Sequence, residues 1–230
     1  MHYPKLLGLT ELLWKSSLPI FEKASKTPLI QGIITGLTPK KFYRFTQQDI
    51  YYLEKIFQPA MKALHHKAIT LSHKKLFSDF ITATDIELSL LKKQLNSEVN
   101  EPPMQPSDIC ERYGAHLLDS TSNQPFSVGV AACLPCFLFF PALGLYIKNK
   151  VGDLSAHPQK EWIKVYAEDL FDNAYIMADL ANEVISKEDE KKAVEAYMTS
   201  AAFELCFFED ALKLEEEVEN AIETRMISRL

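Results

Sequence analysis

Apolar residues recur at three- and four-residue steps along nearly the whole chain, the period of a helix that buries one face. In "ELLWKSSLPIFEKA" the spacing predicts a stripe through Leu12, Leu13, Leu18 and Phe21. In "KKFYRFTQQDIYYLEKIFQPAMKAL", Phe42, Phe45, Asp49, Tyr52 and Ile56 share one helical face. "SDFITATDIELSLLKKQL" predicts another helix. Thr38 before Pro39 is an N-cap with proline in the first turn. Ser107 or Asp108 is a cap after the break "EPPMQP", and Ser186 with Asp189 has the pattern of a capping box before the last long helix. No segment alternates with period two, and no Asn-Gly or Asp-Gly hairpin turn occurs. The turn-rich gaps at 97–106 and 150–158 are too short for linkers, so one all-α domain over 1–230 is expected.

One stretch departs from this pattern. From Phe126 to Ile147 there is no charged residue, but there are two prolines and a Cys-x-x-Cys frame, Cys133 and Cys136. The stretch is long enough to span a bilayer. The amphipathic helices around it, however, need an apolar surface to cover their stripes, and a central helix that is apolar all round supplies one. A buried core helix is therefore expected, and no membrane association. Pro135 and Pro141 each remove a backbone donor and crowd the carbonyl four residues back, at Ala131 and Phe137, so a kink is expected. The cysteine frame lacks the βαβ context of a redox pair and the two further ligands of a zinc site. It leaves either two core cysteines or one reactive thiol with a filler beside it.

Composition narrows the partners. Apolar residues are 47% and charged residues 24%, as in a soluble globular protein. A net charge of -6 argues against nucleic acid, which needs clustered Lys and Arg. Four cysteines are too sparse for a disulfide scaffold. The N-terminal residues lack a basic region followed by a long apolar run, so no signal peptide is read and a cytoplasmic location is expected. The acidic run at 214–223 reads as a solvated helix face.

Five short motifs carry the chemistry. "QQDIYYL" at 47–53, "RYGAHLL" at 112–118, "LPCFLFF" at 134–140, "HPQKEWIKVY" at 157–166 and "FELCFFEDA" at 203–211 occur in this order. Together they resemble the thiaminase II (TenA) family, from about Phe21 to about Ala211. The resemblance implies a heme-oxygenase-like all-α bundle around a buried, proline-kinked helix. It implies hydrolysis of an aminopyrimidine, namely aminomethylpyrimidine or thiamin, to hydroxymethylpyrimidine, with no cofactor and no metal. It also implies a homo-oligomer, commonly a tetramer.

By position, the resemblance makes Cys136 the nucleophile and Glu204 the acid/base carboxylate. Asp49 becomes the carboxylate that holds the pyrimidine; Tyr52, Tyr113 and Tyr166 become the site tyrosines. The residue types suit the chemistry. A thiolate adds to an electron-poor pyrimidine when a ring nitrogen is protonated. A buried Glu is suited to that proton transfer, and aromatic rings supply a stacking wall. Phe140 stands where the family usually has a Tyr, so one hydroxyl is missing a turn beyond the cysteine. Leu138 and the pair Phe207–Phe208 also depart from the pattern, with Phe208 still expected to pack at the substrate. The alternative is a non-catalytic pyrimidine-binding or interaction protein. Di-iron chemistry needs several inward Glu and His at helical spacing. His65 and His66 are adjacent, and His73, His116 and His157 lack a Glu-x-x-His frame.

Overall fold

Helices begin where the chain offers a cap. A computed structural model describes residues 6–95 and 105–212. Helix α1 (Gly8–Ala24) lacks a cap of its own, and Asn182 accepts the Thr10 amide at 3.0 Å instead. Thr27 caps α2 (Pro28–Thr35), and Thr38 caps α3 (Pro39–Tyr52), with proline in the first turn of each. Helices α4 (Gln58–Lys67) and α5 (Leu71–Leu95) follow. Ser107, rather than Asp108, caps α6 (Asp108–Ser122) by accepting the Cys110 amide at 3.2 Å. The Ser107 amide donates to Gln48 at 3.0 Å, which ties the start of α6 to α3.

The charge-free stretch forms α7 (Phe126–Val151), which continues unbroken through both prolines until Gly152 turns the chain with a φ of 74°. Nearly all its residues up to Gly144 are buried on every side, so it is a core helix rather than a membrane span. Helices α8 (Lys160–Lys164), α9 (Phe171–Val184) and α10 (Glu190–Asp210) complete an all-α bundle, with no strand among the described residues. Helix α7 touches α2, α4, α6, α8, α9 and α10.

Two expectations change in detail. Leu13 and Phe21 face the core, but Leu12 is 60% exposed. The buried face of α1 instead runs through Thr10, Leu13, Trp14, Ser17, Phe21 and Ala24, because Leu12 lies about 100° around the helix from Leu13. At α10, Ser186 Oγ accepts the Asp189 amide at 3.3 Å, but the helix starts at Glu190. The Asp189 carboxylate is taken by Ser127 Oγ at 2.6 Å, which joins α10 to α7 in place of closing a capping box. The acidic run at 214–223 lies outside the described residues.

Two π-helical turns, Leu53–Phe57 between α3 and α4 and Val165–Asp169 between α8 and α9, interrupt the α period. Such turns insert a residue and re-aim side chains, often at functional sites. Each rests on a glycine. A Cβ on Gly114 of α6 would meet Ile56 at 2.7 Å. A Cβ on Gly144 of α7 would meet the Tyr166 carbonyl carbon at 2.6 Å and the Ala167 nitrogen at 2.8 Å. Backbone cannot yield as a side-chain tip can. Gly144→Ala is therefore expected to destabilise the protein by about 1–3 kcal/mol. Urea denaturation checks this; a midpoint equal to wild type would contradict the close approach.

Candidate active site

The end of α3, the two π turns, α5, α7 and the start of α9 wall a small cavity that opens to solvent. Asp49 and Tyr52 reach it from the last turn of α3, Glu87 from α5, Cys136 and Phe140 from α7, and Tyr166 from the second π turn. Cys136 and Phe140 sit one helical turn apart and so share a face. Asp49 and Tyr166 are almost fully enclosed, whereas Cys136 and Glu87 keep partial exposure because they open on the cavity. The Tyr166 hydroxyl is 3.2 Å from Asp49 Oδ2 and is also hydrogen-bonded to Glu87 Oε1.

A second layer stands behind the first. Tyr113 donates to Glu204 Oε1 at 2.7 Å, and both are buried. The Tyr113 ring stacks between Tyr52 at 5.2 Å and Phe203 at 5.4 Å. Phe140 lies 5.3 Å from Tyr166 and 5.1 Å from Phe208, so Phe208 shapes the wall through Phe140. The Tyr52 hydroxyl is buried and makes no hydrogen bond of ordinary geometry. It has the Cys136 thiol and the Tyr113 phenol as polar neighbours, and a donor in that state is available to a ligand.

Burial governs the electrostatics. It pushes Glu204 up to about 8, against a partial opposing effect of the Tyr113 hydrogen bond. It pushes Glu87 up to about 7, again opposed by a hydrogen bond, from Tyr166. Asp49 is raised by burial first, and then by Glu87 and Glu204. The Cys136 thiol is raised by burial and then by the carboxyls of Glu204 and Glu87, while Tyr52 works weakly the other way. Among the described residues, no cation opposes these shifts. The raised thiol is therefore neutral near pH 7, and its activation requires a base or a positive charge.

The structure brings Cys136, Glu204, Asp49, Tyr52, Tyr113, Phe140, Tyr166 and Phe208 into one neighbourhood. Cys133 is buried away from the cavity lining, its thiol raised by burial alone. Glu87 is the site residue that the sequence reading missed. Its signal was present: on α5 it stands three residues beyond Thr84 and seven beyond Phe80, both buried, so a carboxylate occupies an apolar-stripe position. Among the described residues, no group of three or more His, Cys, Asp or Glu side chains is arranged to hold a metal ion.

Holding Glu204 protonated has a consequence for stability. Its ordinary value is 4.5 and its folded value about 8, so between these the folded state binds more protons than the unfolded. Stability then falls as pH rises through that window, by roughly 3 kcal/mol at pH 7 for a fully buried group. Glu204→Gln keeps an acceptor for Tyr113 but removes the proton. The variant is expected to melt above wild type at pH 8, with the gap closing toward pH 5. An equal gap at both pH values in thermal melts would contradict the raised pKa.

A model of the TENA/THI-4/PQQC family matches residues 14–213. The chain is 29% identical over 213 residues to a protein of Halalkalibacterium halodurans named aminopyrimidine aminohydrolase, covering 86% of this chain and 93% of that one. The solved structure of a TenA homologue from Pyrococcus furiosus superposes with a TM-score of 0.79 at 18% identity, over 89% of this chain and all of that one. A domain from Shewanella denitrificans described as heme oxygenase-like gives 0.72 at 11% identity, over 93% of this chain and 95% of that one. The bundle is thus of the heme-oxygenase-like kind, and with the family match spanning most of its length the chain belongs to the TENA/THI-4/PQQC family.

Proposed function

We propose that the protein is an aminopyrimidine aminohydrolase of thiaminase II type. Its substrate is 4-amino-5-aminomethyl-2-methylpyrimidine, or thiamin, and its product is hydroxymethylpyrimidine for thiamin salvage. The observation that carries this reading is the thiol of Cys136. It opens on a cavity that also holds the Asp49 carboxyl, the Tyr52 hydroxyl and flat aromatic walls. The Halalkalibacterium relative's name supports the same chemistry.

In this reading Asp49 accepts from the exocyclic amine and a protonated ring nitrogen, and the aromatic walls fix the ring plane. Cys136 gives up its proton, and the sulfur adds to an electron-poor ring carbon as a ring nitrogen gains a proton. The ring's electron pair then breaks the bond to the aminomethyl nitrogen, which leaves as ammonia with a proton supplied by the site. Water adds its oxygen to the exocyclic carbon, its proton returns to the site, and the carbon–sulfur bond breaks to restore the aromatic ring. The net change is amine plus water to alcohol plus ammonia. Glu204, raised to about 8 by burial, carries protons in both directions near neutral pH. Tyr113 orients it.

Binding without turnover is the second reading, and it rests on Phe140, which places a bare ring in the cavity wall where a phenol would assist the leaving group. A cytoplasmic homotetramer is part of the first reading. The exposed apolar residues Leu12 on α1 and Ile176 on the adjoining α9 supply surface for subunit contact.

Ammonia release from the aminomethylpyrimidine separates the two readings. Wild type is expected to turn over. Cys136→Ser is expected to lose a factor on the order of a thousand or more, as when a nucleophile is removed. Cys133→Ser is expected to keep activity within a few-fold and to lose about 1–3 kcal/mol of stability through a buried hydroxyl without a partner. Equal activity losses in two folded variants would reject Cys136 as the nucleophile. Absence of turnover in wild type, with hydroxymethylpyrimidine bound, would favour the binder.

A further inference from the structure

We propose that Glu87 is a specificity residue, which together with Asp49 and the Tyr166 phenol makes the cavity bind its pyrimidine as the ring-protonated cation. The inference rests on the aminopyrimidine reading above and goes beyond it in naming the charge state and the residue that selects it.

Three observations carry it. First, the Tyr166 hydroxyl touches a carboxyl on either side, Asp49 Oδ2 at 3.2 Å and Glu87 Oε1. A phenol has one hydrogen to donate. Two carboxylates cannot both receive it, so one carboxyl must donate to the phenol oxygen or remain repelled by the other. One proton more than two ionised acids and a phenol would hold relieves that repulsion. Second, no Lys, Arg or His lines the cavity among the described residues. Two acids in an apolar, aromatic enclosure without a protein cation are costly. A cationic ligand is the charge that relieves them. Third, Glu87 is held there by the fold. It stands half-buried on the face of α5 that carries Phe80 and Thr84, and α5 packs directly on α3, which carries Asp49.

The chemistry selects the ligand class. An aminopyrimidine protonated on a ring nitrogen presents an amidinium edge with two adjacent N–H donors and a spread positive charge. Asp49 takes that edge, and Glu87 adds a second negative charge through Tyr166. A 4-oxo pyrimidine of the same shape is far less basic on its ring nitrogens and stays neutral. The proton that charges the ring comes from the carboxyl pair, which is replenished from solvent. Glu87 thus acts before any bond breaks, and it also raises the thiol and Asp49 through its charge.

The test uses hydroxymethylpyrimidine, its 4-oxo counterpart and the full-length protein. With ring-15N-labelled hydroxymethylpyrimidine at pH 8, where the free ring is neutral, the bound nitrogen is expected to show the chemical shift of a protonated ring in wild type. The shift should move to the neutral position in Glu87→Gln, a nearly isosteric change. The calorimetric preference for the amino over the oxo compound is expected to fall by about tenfold to a hundredfold in that variant. A neutral-ring shift in wild type overturns the proposal and needs no variant. So does an unchanged preference in folded Glu87→Gln, while wild type still binds the amino compound; in that case the aminopyrimidine reading stands and only the role of Glu87 falls. If neither compound binds wild type, the aminopyrimidine reading itself fails and the proposal with it.

Discussion

The architecture depends on one constraint: α7 has no polar face. A helix apolar all round is stable in water only when covered from every side, and burial contributes about 25 cal/mol per Å2 of apolar surface. Helices α2, α4, α6, α8, α9 and α10 pack along it, and rings of α1 and α5 add to the cover. Trp14 and Phe21 of α1 pack edge-on around Phe139 of α7, with ring centres 5.8 and 5.6 Å from it. The cavity beside Cys136 takes its mostly apolar lining from the core, and burial is the first cause of the raised pKa values of Glu204, Glu87, Asp49 and Cys136.

That arrangement sets stability against function. Asp49, Glu87 and Cys136 meet in a cavity that no cation lines among the described residues, with Glu204 behind them, and each is pushed toward its neutral form. In water the carboxyls would ionise well below neutral pH; here burial raises them toward it, where acid–base chemistry can use their protons. The π turns complete the arrangement. The first follows directly on Tyr52, the second contains Tyr166, and both are seated on helix glycines that let the backbone approach closely.

Much of this was legible in the sequence, for physical reasons. The charge-free run at 126–147 can satisfy its backbone only as a helix and its side chains only by burial. Thr38 and Ser107 signalled helix starts because their side chains accept the free amides of the first turn. The spacing put Asp49 on one helical face with Phe45 and Tyr52, and all three are buried. What escaped has equally physical causes. Leu12 is apolar, but its position on the helical wheel, not its type, decides its burial. The π turns leave no periodic trace, because one inserted residue shifts the register without changing composition. Glu87 was hidden among the polar residues of α5; only its place in the stripe of Phe80, Thr84 and Leu88 separates it from a solvated glutamate.

The central claim is that burial holds Glu204, in the layer behind the cavity, protonated near neutral pH. The most direct test is a carbon-13 NMR titration of protein labelled at glutamate side-chain carboxyls, with Glu204→Gln used to assign the resonance. Glu204 is expected to titrate with a midpoint near 8, far from the bulk of the glutamates. A midpoint at the ordinary value of 4.5 would show that the site is wet, and the account of its chemistry would not stand.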